Sequence, residues 1–351
     1  MKDFLAALHT EIELSADRSE NMRAETIFLG GGTPSLLTPE ELSGILGHLR
    51  TVFQVSRDAE VTVEANPETV DLPKLKGYRD AGVNRLSIGI QSFNDMELEF
   101  LGRIHDSGKA EKAFRLAREA GFENVNVDLI YSLPGQTLDR WAETLARTIG
   151  LGPDHISAYS LIVEDNTPLA RMVRARQVSP APPEIEAEMF EFTMETLAVN
   201  GFEHYEISNF ARPGYRSRHN FNYWRHGDYL GFGPSAHSFR KRDGSGGTRW
   251  WNVANISTYI KQLMTGKLPV ASTESLSTDS LMTEHLFLGL RSTGLDLGEF
   301  RREFGDSLVA RHATLIQGLV DANIATVVSD VLRLTPRGYL ICDEVSARLV
   351  S

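Results

Sequence analysis

Cysteine is almost missing from this chain: its 351 residues contain one, Cys342. No intrachain disulfide is possible. No thiolate zinc site or iron–sulfur cluster can be assembled from these residues alone, because such centres need several thiolates. Long apolar runs are also missing, and none approaches the roughly 18 residues of a membrane helix. The opening MKDFLAALHTEIEL is interrupted by acids too soon for a signal peptide. Positive charge is in deficit, with 36 Lys and Arg against 47 Asp and Glu and a net charge of −11. That balance argues against nucleic-acid partners. The expectation is a cytoplasmic protein without stable membrane insertion, making at most peripheral membrane contact.

What is present is ordinary for a folded chain: 41% hydrophobic and 24% charged residues. At about 100–200 residues per domain, the length fits two or three domains, or one barrel with an appendage. Short β-branched or apolar runs fall at 25–30, 59–65, 84–90, 124–130 and 154–160, bounded by Gly, Pro, Asn or Asp. Helical patterns lie between them, at 38–55, 71–81, 108–120 and 137–150. Thr38-Pro39-Glu40-Glu41 reads as a capping box with proline at the first helical position. Such alternation predicts βαβ units and a parallel sheet. The chain opens with a helix, 2–15, which either follows a lost strand or caps the sheet. Prolines at 168–183 mark a connection to a helix at 184–200. From 277 the pattern predicts helices at 278–291, 296–304 and 306–322, a hairpin turning at Ser329-Asp330, and a helix from Pro336. This resembles a winged helix, but seven basic against ten acidic residues make a DNA role unlike it.

Gly30-Gly31-Gly32-Thr33-Pro34 follows the first strand. It is neither a dinucleotide fingerprint nor a P-loop, and it reads as a glycine turn or as a close backbone approach to a ligand. Glu64, Gln91 and Asp128 lie at or near the ends of successive strands, where α/β sites gather. Arg103 adds a cation suited to a carboxylate. A second group is Arg218-His219-Asn220-Phe221-Asn222-Tyr223-Trp224. It lies in residues 212–249, where eight basic residues face two acids, a local charge of +6. Aromatics, cations and a histidine together suit a flat carboxylated ligand such as haem, or else a structural aromatic cluster. Single-stranded nucleic acid is disfavoured by the overall charge.

The ordered set IFLGGGTPSLL, VEANPE, NRLSIGIQSFND, LGRIH, NVDLIYSLPGQT and DHISAYSL resembles the radical-SAM proteins related to oxygen-independent coproporphyrinogen III dehydrogenase. RHNFNYW is similar to the HNxxYW motif of the HemW-type haem chaperones within that group. The resemblance covers nearly the whole chain. It implies an α/β fold: a partial (β/α)6 barrel with its first strand missing, plus a small C-terminal winged-helix-like domain. The implied organisation is a barrel over 1–200, an aromatic and basic segment completing the core over 201–276, and the appended domain over 277–351. It implies S-adenosylmethionine held by Gly31, Gly32, Thr33, Glu64, Gln91, Arg103 and Asp128, and haem or porphyrin at His219, Asn220, Tyr223 and Trp224. A haem-accepting protein is the implied further partner.

One departure bears on chemistry. The family carries a C-x3-C-x2-C loop for a 4Fe–4S cluster ahead of the helix matching 2–15, and no such loop occurs in these residues. Either the start is placed too late, or the protein is a cluster-free form that only binds ligand. In both cases no catalytic residues are assigned and radical chemistry is not expected from these residues. The leading expectation is a haem chaperone. The alternatives are a coproporphyrinogen III dehydrogenase and a nucleotide- or phosphate-binding barrel.

Overall fold

The computed structural model describes residues 1–19, 22–242, 246–305 and 308–350. Helix α1 (Lys2–Leu14) precedes β1 (Arg23–Leu29). The alternation continues through α2 (Pro39–Val52), β2 (Gln54–Ala65), α3 (Leu72–Asp80), β3 (Arg85–Gln91), α4 (Asp95–Phe100), α5 (Ser107–Glu119), β4 (Val125–Tyr131), α6 (Leu138–Leu151) and β5 (His155–Ser160). Then come α7 (Pro168–Arg174), α8 (Pro183–Val199), β6 (Glu203–Glu206) and β7 (Asn209–Ala211). Among the described residues the strands form a seven-stranded sheet in the order β1-β2-β3-β4-β5-β7-β6. Strands β2 to β5 pair in parallel, and β7 returns antiparallel to β5. This is the α/β partial barrel that the sequence implies.

Local chemistry explains these elements. Every residue of β3 is buried, as expected of a parallel strand covered on both faces. The capping box forms: Thr38 Oγ1 accepts from Glu41 N at 3.2 Å, and Glu41 Oε2 accepts from Thr38 N at 2.9 Å. Helix α6 starts at the Thr137 cap and stops at Gly152, which takes φ 73° in a left-handed C-cap. Trp141 of α6 is fully buried and donates its indole N–H to Thr193 of α8 at 2.8 Å. Strand β2 starts five residues earlier than its apolar pattern. Its first residues are mostly exposed and carry no alternation to read.

Contacts divide the chain into two compact units. One comprises Ile27–Leu42 with Glu60–Arg216; the other comprises Met1–Thr26, Ser43–Ala59 and Ser217–Ser351. The second unit holds α9 (Arg218–Trp224), β8 (His237–Arg242), β9 (Gly246–Asn252), α10 (Ile256–Met264) and β10 (Val270–Leu276), with antiparallel sheet order β10-β9-β8. Within it the Glu11 carboxylate is buried and accepts from Tyr259 Oη at 2.6 Å, Gly233 N at 2.8 Å and Asn252 Nδ2 at 2.5 Å. Three donors on one buried acid tie α1 to α10 and to the β8–β9 sheet.

The remainder of that unit is α11 (Thr278–Leu290), β11 (Leu295–Asp296), α12 (Leu297–Phe304), α13 (Leu308–Asp321), β12 (Ala325–Val328), β13 (Val331–Leu334), α14 (Pro336–Tyr339) and α15 (Cys342–Val350). Residues 306–307, expected to open the third helix of this region, lie outside the described residues. Ser329 and Asp330 take φ 51° and 64°, the left-handed pair of a two-residue hairpin turn. Leu286, Leu290, Phe300, Leu332 and Val345 share one apolar core. The two-residue β11 makes the wing three-stranded, in the order β11-β13-β12.

Candidate functional site

A cavity of about 560 Å³ opens at the C-terminal ends of the parallel strands. Its size lies within the roughly 300–1,000 Å³ of small-molecule pockets. Gly32, Thr33, Glu64, Gln91, Arg103 and Asp128 line it. Gly31 contributes at second hand: its N–H donates to Glu64 Oε2 at 3.1 Å. Gly31 takes φ +86°, a conformation that needs no Cβ. At Gly30 a Cβ would run into the Phe28 ring and come within 2.8 Å of Glu64 Oε1. The glycine run therefore lets the backbone close onto Glu64.

Pleat geometry delivers the polar groups, since residues i and i+2 share a face. On β4 that face carries Asn126 and Asp128; on β3 it carries Ser87, Gly89 and Gln91. Asp128 Oδ2 accepts from Ser87 Oγ at 2.8 Å, and Oδ1 accepts from Asn126 Nδ2 at 2.8 Å. The network continues inward. Asn126 Oδ1 lies 2.6 Å from His155 Nδ1, and His155 Nε2 lies 2.7 Å from Tyr205 Oη. Burial, with the Arg85 cation, holds His155 well below its ordinary pKa and so neutral. A neutral imidazole then donates from Nδ1 to Asn126 and accepts from Tyr205. Burial raises the pKa of Asp128. Burial and the nearby Asp128 raise that of Glu64. Two acids of raised pKa on one cavity wall favour a hydrogen-bonding or cationic ligand over a bare anion. Gln91 closes β3 at φ 70°, uncommon outside Gly and Asn, beside a register shift between Gly89 and Gln91. Such strain costs on the order of 1–3 kcal/mol and gathers at functional sites. Ser87, Asn126, Asn66 and Tyr159 belong to this neighbourhood but were not singled out from sequence. The two-residue polar spacing on β3 and β4 is the signal that could have found Ser87 and Asn126.

The second set belongs to the other unit. Helix α9 starts at Ser217, whose Oγ accepts from Asn220 N at 3.2 Å. His219 and Tyr223 lie one turn apart. His219 Nε2 is 3.1 Å from Tyr223 Oη, and His219 Nδ1 is 2.8 Å from Thr26 Oγ1. Tyr223 is 39% exposed, so the pair reaches solvent. Trp224 ends the helix and is half-buried. His226 is buried and stacked on Phe239 at 4.7 Å, its pKa pushed down to about 4 by burial.

The basic segment has a structural explanation as well. Arg218 pairs with Glu25 at 3.1 Å, Lys241 with Glu303 at 2.7 Å, Arg249 with Glu284 at 2.6 Å, and Arg216 with Glu203 at 3.0 Å. Arg240 donates to the Arg18 carbonyl at 2.9 Å. Much of the +6 is thus answered by acids distant in sequence. Arg225, which follows the last residue of α9, is exposed, with its guanidinium 4.3 Å from the Phe221 ring.

Residues 8–148 match the family model of the radical SAM superfamily, and residues 276–341 match that of the HemN C-terminal domain. The chain is 37% identical over 345 residues to the "Heme chaperone HemW" of Bacillus subtilis, covering 98% of this chain and 90% of that one. It is 39% identical over 351 residues to the protein of the same name from Mycobacterium tuberculosis, covering 99% and 86%. The chain belongs to the HemW family. Among solved structures, the Escherichia coli coproporphyrinogen III oxidase, a radical SAM enzyme, superposes with a TM-score of 0.82 at 25% identity, over all of this chain and 83% of the other. The HemW fold thus places the cavity on a radical-SAM sheet, and that superfamily implies S-adenosylmethionine and a 4Fe–4S cluster.

The residues present do not fit the cluster. Cys342 is the one cysteine. It is buried in α15, where burial raises its thiol pKa. Among the described residues no group of three or more His, Cys, Asp or Glu is arranged to hold a metal. No helix among them is long and apolar enough to cross a membrane.

Proposed function

We propose that this chain binds haem as cargo on the His219–Tyr223 face of α9 and passes it to an acceptor protein, with S-adenosylmethionine in the barrel cavity. The reading is carried by identity of 37% over 98% of the chain to a protein named as a haem chaperone. The geometry of α9 supports it. His219 has an imidazole held by Thr26 on one side and by a phenol on the other, at a surface reached by solvent. Exchange of the Tyr223 hydroxyl for iron at Nε2 would leave Nδ1 fixed by Thr26.

The cavity suits a zwitterionic ligand. Arg103 faces a carboxylate; Glu64 and Asp128 accept from an ammonium or from hydroxyls; the amide-lined Gly31–Thr33 turn hydrogen-bonds the same end. When bound, S-adenosylmethionine supplies a reducible sulfonium centre. Ser87 and Asn126 keep the Asp128 carboxylate oriented, and the inward His155–Tyr205 pair keeps Asn126 oriented. Titration of the purified chain with haem, followed by Soret absorbance, tests the reading. A saturable one-to-one spectral shift is expected; a spectrum identical to free haem at all ratios rejects it.

A further inference from the structure

Two histidines outside both sites meet between α1 and α2, within one compact unit. His9 Nδ1 lies 2.7 Å from His48 Nδ1, and the rings are 4.8 Å apart at 38°. Glu13 follows His9 by one helical turn, on the same face. Its Oε1 lies 3.4 Å from His48 Nε2. Neither imidazole is closed off: His9 is half-buried and the His48 side chain is 18% exposed, with Glu13 beside them 66% exposed. Nothing in the cavity or on α9 uses these three residues.

We propose that His9 and His48 form a two-nitrogen site for a divalent transition metal such as Zn²⁺, Ni²⁺ or Cu²⁺, with Glu13 as the outer carboxylate. At 2.7 Å one Nδ1 carries the hydrogen that the other accepts. A metal takes the place of that hydrogen once both Nδ1 atoms present lone pairs. At about 2.0–2.1 Å from zinc, two tetrahedral nitrogens sit roughly 3.3 Å apart, so the rings separate by about half an ångström. Glu13 favours this state. A carboxylate at His48 Nε2 fixes the ring hydrogen there and leaves Nδ1 free to coordinate. Imidazole selects these metals over Mg²⁺ and Ca²⁺, which take oxygen. The protein supplies two ligands and water supplies the rest. The bound ion would staple α1 to α2 across 39 residues of sequence.

The test is calorimetric titration of the full chain with Zn²⁺ at pH 7.5, without haem or chelator. One saturable site is expected. His9→Gln and His48→Gln should each weaken it at least about tenfold, Glu13→Gln about tenfold, and His237→Ala not at all. Mg²⁺ should give no saturation. A second readout needs no variant: substoichiometric Cu²⁺ should broaden the ring resonances of His9 and His48 before those of any other histidine. Absence of a saturable Zn²⁺ site overturns the proposal. So does equal affinity in a folded His9→Gln/His48→Gln double variant, or earlier broadening at another histidine.

Discussion

His219 Nε2 lies 3.1 Å from the hydroxyl of Tyr223, one turn later on the same helix. The nitrogen that would ligate iron is thus occupied by a phenol in the haem-free protein. Burial, with Tyr229 nearby, raises the Tyr223 pKa to about 12, so the phenol stays protonated and able to donate to Nε2. This hydrogen bond at Nε2 must be given up before iron can bind there. Tyr223→Phe should therefore tighten haem binding by about two- to tenfold, the worth of one neutral hydrogen bond. Soret titration of both proteins checks this. Weaker binding in the variant would instead make the phenol part of the haem contact.

The glycine turn controls the cavity through Glu64. Gly30→Ala would push a methyl group into Phe28 and to within 2.8 Å of Glu64 Oε1, so Glu64 must move. S-adenosylmethionine affinity should fall about tenfold or more, the cost of one hydrogen bond to a charged group. Calorimetry on the folded variant measures it. Unchanged affinity would remove Glu64 and the glycine turn from the binding wall.

Glu206 is fully buried in β6, with no hydrogen-bond partner for Oε1 among the described residues. Burial raises its pKa from 4.5 to about 7. A raised folded-state pKa gives stability that is fully present below 4.5 and is lost as pH rises through about 7. Glu206→Gln removes that loss. Relative to wild type, the variant should gain on the order of 2 kcal/mol between pH 5 and pH 8. Urea unfolding at the two pH values measures the difference. A variant whose stability tracks wild type at both would contradict the assignment.

Iron chemistry gives a fourth expectation. Anaerobic reconstitution of these 351 residues with iron and sulfide should leave no iron–sulfur absorbance and yield no 5′-deoxyadenosine, because one buried cysteine cannot supply three thiolates. About four irons per chain together with a cleavage product would contradict this.

Much of this molecule could be read from its sequence, for reasons that differ by element. The parallel strands were legible as short runs of β-branched and apolar residues between turn residues, as in RLSIGIQ, where Leu86, Ile88 and Ile90 alternate with smaller or polar residues. Ser329-Asp330 was legible because a two-residue hairpin needs residues that tolerate positive φ. Strands β6, β7 and β11 were not, because two to four residues carry no period. At the rim, Glu64, Gln91 and Asp128 announced themselves as polar residues at strand ends. Thr26 did not, since it meets His219 across 193 residues of sequence. The +6 of residues 212–249 pointed toward an anionic ligand, but distant acids such as Glu25, Glu284 and Glu303 answer much of it. Composition counts charge; only the fold shows which charges are paired.

The role of His219 as the haem ligand is tested most directly by haem titration of His219→Ala beside wild type, with the melting temperature of each recorded. We predict that wild type gives a saturable Soret shift. The variant should melt near the wild-type temperature but bind haem at least about tenfold more weakly, or with a displaced Soret maximum. His226→Ala and His237→Ala should change the spectrum less, because one ring is buried against Phe239 and the other is stacked on Trp251. A folded His219→Ala protein with the wild-type Soret band and affinity would contradict the assignment. A variant that only melts earlier, with its haem spectrum unmoved, would assign His219 to the packing of α9.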